Sequence, residues 1–331
     1  MVVITAKDAA GTAAYAVSSA LCQGPVAEVV FVDDGSRDGT AEIAAAADDG
    51  SGRLKIIRQA TNVGPARARN LAIAASTSPL ICILDADDYM APGRLNRLLA
   101  AGGGNWDLLA DDLFFTPDYV GDVVLDKLLP PTTTVPGELS LDDFIAGNIS
   151  RKDRHRREMG FLKPVMRRSS MERFGLRYDE RLRLGEDLIL YARALLNGAR
   201  FRVVEGCGYY AVERPNSLSG SHRTADIVAL HRALTELDDA VGQRGKDVPA
   251  LRKLIRATRN NRDFRVLLDA KRERGLMGAL AAFYASPASI PFIARAIAEA
   301  KLGLARQRLS APAVGADTRS IAPAEDNLPP R

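Results

Sequence analysis

Glu28-Val29-Val30-Phe31-Val32-Asp33-Asp34-Gly35-Ser36 is an apolar, β-favouring run that stops on two adjacent carboxylates and a turn. Three more runs of this kind lie close by, at Val2–Thr5, Leu54–Arg58 and Leu80–Asp85. Each is nearly continuous in Val, Ile, Leu or Phe, as strands covered on both faces should be. Ala-rich stretches with helix signals separate them, at Thr12–Leu21, Thr40–Ala47 and Pro65–Ser76, the last opening on Pro65 just after Asn62-Val63-Gly64. Four β/α repeats in this order predict a doubly wound, mostly parallel α/β sheet. Such sheets bind ligands at the C-terminal ends of their strands.

Two acidic clusters fall at those ends. Within Asp33-Asp34-Gly35-Ser36-Arg37-Asp38 the fragment from Asp34 imitates the start of an EF-hand loop, but its twelfth position is Ala45 and not Glu, so that route to calcium fails. Ser36–Thr40 reads in any case as an Asx-type cap opening the next helix. The second cluster is Leu84-Asp85-Ala86-Asp87-Asp88. Asp85 and Asp87 flank Ala86, so the alternation of a strand puts both carboxylates on one side. Paired hard oxygens of this kind suit Mg²⁺ or Mn²⁺, which take their remaining ligands from water and a substrate diphosphate. A bare DxD is common, so position at a strand end carries the reading. A third cluster, Gly185-Glu186-Asp187-Leu188, opens a helix expected over Asp187–Asn197. Acids in a first turn favour the helix dipole; a carboxylate at a site edge can also act as a general base.

These texts in register, together with Asn62-Val63-Gly64-Pro65-Ala66-Arg67-Ala68-Arg69-Asn70, resemble the family 2 glycosyltransferases over about residues 1–220. The resemblance implies a GT-A fold, a UDP-sugar donor, a divalent metal (Mn²⁺ or Mg²⁺) and inversion at the anomeric carbon. It implies that Thr5 and Asp34 contact the nucleoside, Asp85 the ribose or diphosphate side, and Arg69 the diphosphate or nucleotide. By the same resemblance Asp87 holds the metal and Asp187 is the base. Where many members carry a Pro and an aromatic-Asn pair, this chain has Thr5-Ala6-Lys7-Asp8. Gly147-Asn148-Ile149-Ser150, Gly160-Phe161-Leu162-Lys163-Pro164 and Asn216-Ser217-Leu218-Ser219-Gly220-Ser221-His222 are similar to succinoglycan-type exopolysaccharide glucosyltransferases. That narrower likeness implies UDP-glucose and a polyprenyl-diphosphate-linked oligosaccharide acceptor.

Composition narrows the alternatives. Forty-five Lys and Arg against forty-one Asp and Glu leave a net charge of +4, so nothing demands a nucleic-acid partner. An NAD-dependent oxidoreductase would need GxGxxG after the first strand, where Lys7-Asp8-Ala9-Ala10-Gly11-Thr12 stands. A nucleotidyltransferase would want a Gly-rich basic loop there. A sugar-nucleotide-binding or scaffold protein of the same fold, without catalysis, is the non-enzyme alternative; Asp85, Asp87 and Asp187 weigh against it. Cys22, Cys82 and Cys207 read as buried small hydrophobes, and His155, His222 and His231 lack metal-ligand spacing. The N-terminus has no basic n-region or long apolar h-region, which predicts a cytoplasmic chain.

The expected organisation is a GT-A domain over 1–245, with a nucleotide-sugar half (1–115) and an acceptor half (116–245). A basic and apolar helical region (246–309) and a disordered tail (310–331) follow. Residues 252–274 carry nine Lys or Arg against three Asp or Glu, and Gly275–Ala294 has no charge but includes Pro287 and Pro291. The prolines argue against a span, so the expectation is either peripheral membrane contact or an apolar hairpin packed on the main domain.

Overall fold

Val2, Val3 and Ile4, Val29–Val32 and Ile81–Leu84 are buried, because three of the four predicted strands are interior strands of one sheet. The structure, a computed structural model, describes residues 1–119, 123–129, 133–149, 157–213 and 223–299. Ser150, His155, the Asn216–His222 text and the expected tail over 310–331 lie outside the described residues.

The N-terminal strands are β1 (Val2–Ala6), β2 (Val29–Asp33), β3 (Leu54–Arg58) and β4 (Leu80–Asp85), with α1 (Ala13–Leu21), α2 (Thr40–Ala46) and α3 (Pro65–Ala74) as crossovers. They pair in parallel in the order β3-β2-β1-β4. After β5 (Tyr89–Met90) and α4 (Arg94–Gly102) come β6 (Leu108–Thr116), β7 (Asp126–Lys127), β8 (Gly137–Leu139) and α5 (Leu141–Ala146). Then follow β9 (Val165–Arg167), α6 (Arg168–Arg173), α7 (Glu186–Leu196) and β10 (Phe201–Val212). The sheet continues β4-β9-β6-β10-β5. Within it, β6 and β10 are parallel, and β9 runs antiparallel to both β4 and β6.

The antiparallel β9 decides where a functional side chain stands. Val165 pairs with Cys82 and Arg167 with Leu80, so the chain entering β9 comes from the C-terminal end of β4. Lys163, two residues before Val165, therefore lies level with Leu84 and beside Asp85. A parallel strand would have delivered it to the opposite end of the sheet.

Between β4 and β10, Arg94 and Asp111 are fully buried and ion-paired; Arg94 also donates to the Lys163 carbonyl at 3.3 Å. A buried guanidinium is held there by a carboxylate and a fixed carbonyl, as buried charges require. Of the cysteines only Cys82 is buried; Cys22 is exposed and Cys207 half-buried, and all three are free.

The chain divides into two compact units, Met1–Val266 and Leu267–Arg331. In the first, α8 (Thr224–Gln243) and the start of α9 (Pro249–Ala285) follow the sheet. In the second, α9 breaks at Gly275, whose φ of 62° and ψ of −154° are not helical. A last helix, α10 (Pro287–Glu299), opens as a 3₁₀ turn and is bent 92° from α9. No single helix among the described residues is long and apolar enough to cross a membrane; the bent pair of α9 and α10 reaches the required length and composition only together.

Candidate active site

The loops after β1, β2 and β3 are stitched together by carboxylates that accept from backbone amides, and the loop after β4 is tied in by a donated hydroxyl. Asp34, buried, accepts from Val63 N at 2.6 Å and Gly64 N at 2.9 Å. Asp33 accepts from Ser36 N, Asp8 from Arg37 N, and Asp38 from both Thr40 N and Ala10 N. Thr12 Oγ1 reaches across to the Ala86 carbonyl at 2.7 Å. Asp38 thus makes an Asx turn onto Thr40 N, the first residue of α2, while the N-cap position itself is Gly39 with no side-chain cap. Gly35 has a φ of 71° and lies so close to Thr61 that a Cβ would come within 2.8 Å of its carbonyl carbon, so the loop requires glycine there. Thr5 ends the same layer, with Asp85 as its register partner on β4.

The second acidic cluster departs from its reading. β4 ends at Asp85, and Ala86-Asp87 form a tight turn closed by Asp88 N donating to the Asp85 carbonyl at 3.1 Å. Strand alternation therefore does not govern Asp87, and Asp85 and Asp87 are not a pair on one strand face. The acids of the cluster have different surroundings. Asp85 faces Arg69 and Lys163. Asp88 accepts from Tyr209 Oη at 2.9 Å and Val212 N at 3.0 Å, and burial, joined by the charges of Asp87 and Asp85, pushes its carboxyl well up. Asp87 is half-buried in the turn, its carbonyl accepting from Tyr119 Oη at 3.0 Å.

Asp85 and Asp187 meet in one ion network. Arg69, on the buried side of α3, reaches Asp85 Oδ1 at 3.1 Å, Glu186 Oε1 at 2.8 Å and Asp187 Oδ1 at 3.0 Å. Lys163 Nζ lies 2.9 Å from both Asp85 Oδ2 and Asp187 Oδ2. Burial alone would lower the Lys163 ammonium, but Asp187 and Asp85 more than reverse it and hold it charged. Burial alone would raise the Asp85 carboxyl, and Lys163 and Arg69 overcome that and hold it low. Glu186 is the acid that burial pushes up, Arg69 opposing the shift only in part. The resemblance gave Arg69 to the diphosphate or nucleotide; in the structure its guanidinium faces the carboxylates of Asp85, Glu186 and Asp187.

Local sequence explains the placements. Gly64 and Pro65 start α3 so that Arg69 and Asn70 both face inward, and Asn70 pins the Tyr178 backbone through Nδ2 to O (2.9 Å) and N to Oδ1 (3.1 Å). Gly185, with a φ of 73°, turns the chain into α7 where a Cβ would strike Leu230, setting Glu186 and Asp187 in the first turn. Asn148 accepts from Gly160 N at 2.7 Å, which fixes the segment leading to Lys163. Arg183 clasps Asn62, tying the loop before α3 to the loop before α7.

This network floors a cavity of about 530 Å³. Phe161, Leu184, Leu188, Leu230, Leu234 and Leu254 give its walls an apolar side, beside the polar Asn148, Glu158, Arg183, Thr258 and Asn261. The arrangement offers a partly exposed acid at a strand end, a second acid held by two cations, and an apolar wall facing them. Lys163 had been quoted in the sequence only as part of a text; its signal was a charged residue inside Gly160–Pro164, a stretch otherwise without charge.

The metal implied by the resemblance can be tested against these donors. Among the described residues no three His, Cys, Asp or Glu side chains gather as a cage. Asp85 and Asp187 already face cations. The single carboxylate of Asp87 suits an octahedral, hard ion that keeps waters and takes oxygens from a diphosphate. The donor set fits an ion that arrives with its substrate, not a resident structural site.

Residues 1–124 match the family model described as Glycosyl transferase family 2. The chain is 46% identical over 295 residues to the succinoglycan biosynthesis protein ExoU of Rhizobium meliloti (strain 1021), covering 88% of this chain and 84% of that one. Its fold is similar to S. aureus TarS 1-349 in complex with UDP-GlcNAc, with a TM-score of 0.57 at 18% identity over 85% of this chain and 89% of that one. It also resembles the mannosyltransferase PcManGT of Pyrobaculum calidifontis, solved with GDP-Man and Mn²⁺, with a TM-score of 0.50 at 17% identity over 92% and 79% of the two chains.

Proposed function

The chain belongs to glycosyl transferase family 2 and is a glycosyltransferase of GT-A fold, and we propose that it transfers glucose from UDP-glucose to a lipid-linked oligosaccharide in exopolysaccharide synthesis. The observation that carries this reading is the cavity in which Asp85, at the end of β4, and Asp187, at the start of α7, share one floor. The likeness to ExoU supports a glycan acceptor of the exopolysaccharide class, and the UDP-sugar held by TarS supports the donor class.

In this reading Thr5 and Asp34, at the ends of β1 and β2, serve the nucleoside, and Asp85 the ribose or diphosphate. Asp87 holds a divalent ion, which when bound offsets negative charge on the departing diphosphate. Asp187 takes the proton from the acceptor hydroxyl as that oxygen bonds to the anomeric carbon and the bond to the diphosphate breaks, giving inversion. Its carboxylate has lone pairs left for the hydroxyl after Arg69 and Lys163 are served. The apolar wall excludes water from the reacting carbon, which limits hydrolysis of the donor.

Incubating the full chain with a panel of UDP-, GDP- and dTDP-sugars and measuring nucleoside diphosphate release with Mn²⁺ or Mg²⁺ tests the proposal. UDP-glucose as the preferred donor, with faster release when a lipid-linked oligosaccharide is added, supports it. Preference for another sugar nucleotide, or indifference to the lipid-linked acceptor, overturns that part of it.

A further inference from the structure

The second compact unit carries an apolar face that its own fold leaves open. After the break at Gly275, Leu276, Met277, Leu280 and Tyr284 are 73%, 76%, 49% and 72% exposed. At 100° per residue their spacing of i, i+1, i+4 and i+8 puts all four on an arc about 100° wide. Phe292, on α10, is also exposed. Directly before the break stand Lys271, Arg272 and Arg274, exposed and with no ion pair among the described residues, against one acid, Glu273. Four large apolar side chains left in water on one short helix are costly, and a patch of this kind marks an interaction surface.

We infer that this unit docks on an anionic lipid surface, with Leu276, Met277, Leu280 and Tyr284 in the acyl–headgroup boundary and Lys271, Arg272 and Arg274 on the phosphates. Charge complementarity selects the lipid over a second copy of the chain, because the basic cluster abuts the apolar arc and two such clusters would repel one another. Tyrosine at the end of the arc suits the interface, where its ring is in hydrocarbon and its hydroxyl in water. The mode is peripheral: the 92° bend, with Pro287 opening the 3₁₀ turn and Pro291 two residues beyond it, would leave backbone carbonyls without partners in a bilayer core. The inference rests on this unit alone and stands or falls apart from the assigned donor and acceptor.

Sedimentation of the full chain with phosphatidylcholine vesicles, with and without phosphatidylglycerol, decides it. The expected result is partition onto the anionic vesicles at low salt that is lost at high salt. Replacing Lys271, Arg272 and Arg274 by Gln should weaken partition on the order of 10²-fold. Met277→Glu with Tyr284→Glu should abolish it, while circular dichroism and UDP release from the donor stay as in the parent chain. Equal binding to both vesicle types, binding that survives alkaline wash, or no binding together with concentration-dependent dimerisation would each overturn it. The last outcome would make the face a contact between copies.

Discussion

Lys163 is the shared counter-ion of Asp85 and Asp187, its Nζ 2.9 Å from an oxygen of each. A change at Lys163 should therefore act on both ends of the reaction. Lys163→Met is expected to lower kcat about 10²-fold through misplacement of Asp187, and also to weaken nucleotide binding through Asp85. Lys163→Arg should recover part of kcat. Steady-state kinetics paired with calorimetry of UDP separate the two effects, and an unchanged kcat in Lys163→Met would remove Lys163 from a positioning role.

Asp187→Asn keeps size and hydrogen bonding but removes the proton acceptor. Turnover should fall by roughly 10²–10⁴-fold while UDP affinity holds. Glu186→Gln should cost less, since Glu186 reaches the network through Arg69 alone. If Glu186→Gln proves the more damaging, the acid that burial pushes up is the base.

Asp87→Ala should abolish the stimulation of transfer by Mn²⁺ or Mg²⁺ and leave the melting temperature in place, because the residue sits half-buried in a turn and not in the core. Parent enzyme that transfers at full rate in excess chelator would dismiss the ion altogether.

Three of the four N-terminal strands were legible because each is a run of apolar residues buried on both sides, whereas β3, an edge strand carrying Lys55 and Arg58, was legible from its place in the β/α alternation. Their ends needed no tertiary information, and Asp34, Asp85 and Asp187 could be picked out from local text alone. The region from Asp142 to Ala199 was not legible as strands, since Val165–Arg167 is too short for a period to register and its direction depends on β4 and β6 already being in place. Lys163 was invisible as a site residue for the same reason: only the antiparallel entry of β9 puts it beside Asp85. The DxD alternation misled because β4 ends at Asp85, where the apolar run ends, and a two-residue turn closed by Asp88 N follows, so the alternation does not carry on to Asp87.

Asp111→Ala would leave the fully buried Arg94 guanidinium without its carboxylate and should destabilise the fold by about 3–5 kcal/mol. Urea denaturation measures this directly. A loss below about 1 kcal/mol would mean that water reaches the site.

His231 on α8 accepts at Nδ1 from Arg262 on α9 at 3.2 Å, since a guanidinium can only donate. Burial first, and then the Arg262 charge, lower its pKa below the ordinary value. The unfolded chain therefore takes up a proton before the folded one, and stability drains away as pH falls below about 6.5. The effect is small because the ring is half-buried. Melting temperatures at pH 5 and pH 7.5 should differ less in His231→Gln than in the parent, and an identical difference would show that the ring titrates freely.

The stitched loops around Asp8, Asp34 and Asp38 bear on how a donor is received. Segments already fixed by side-chain bonds to their own amides lose little conformational freedom when a ligand arrives. Nucleotide binding at this end should proceed without a large entropic penalty and with little backbone movement. Discrimination between donors by induced ordering is then left to the opposite wall, built from the segments that lead into β9 and α7.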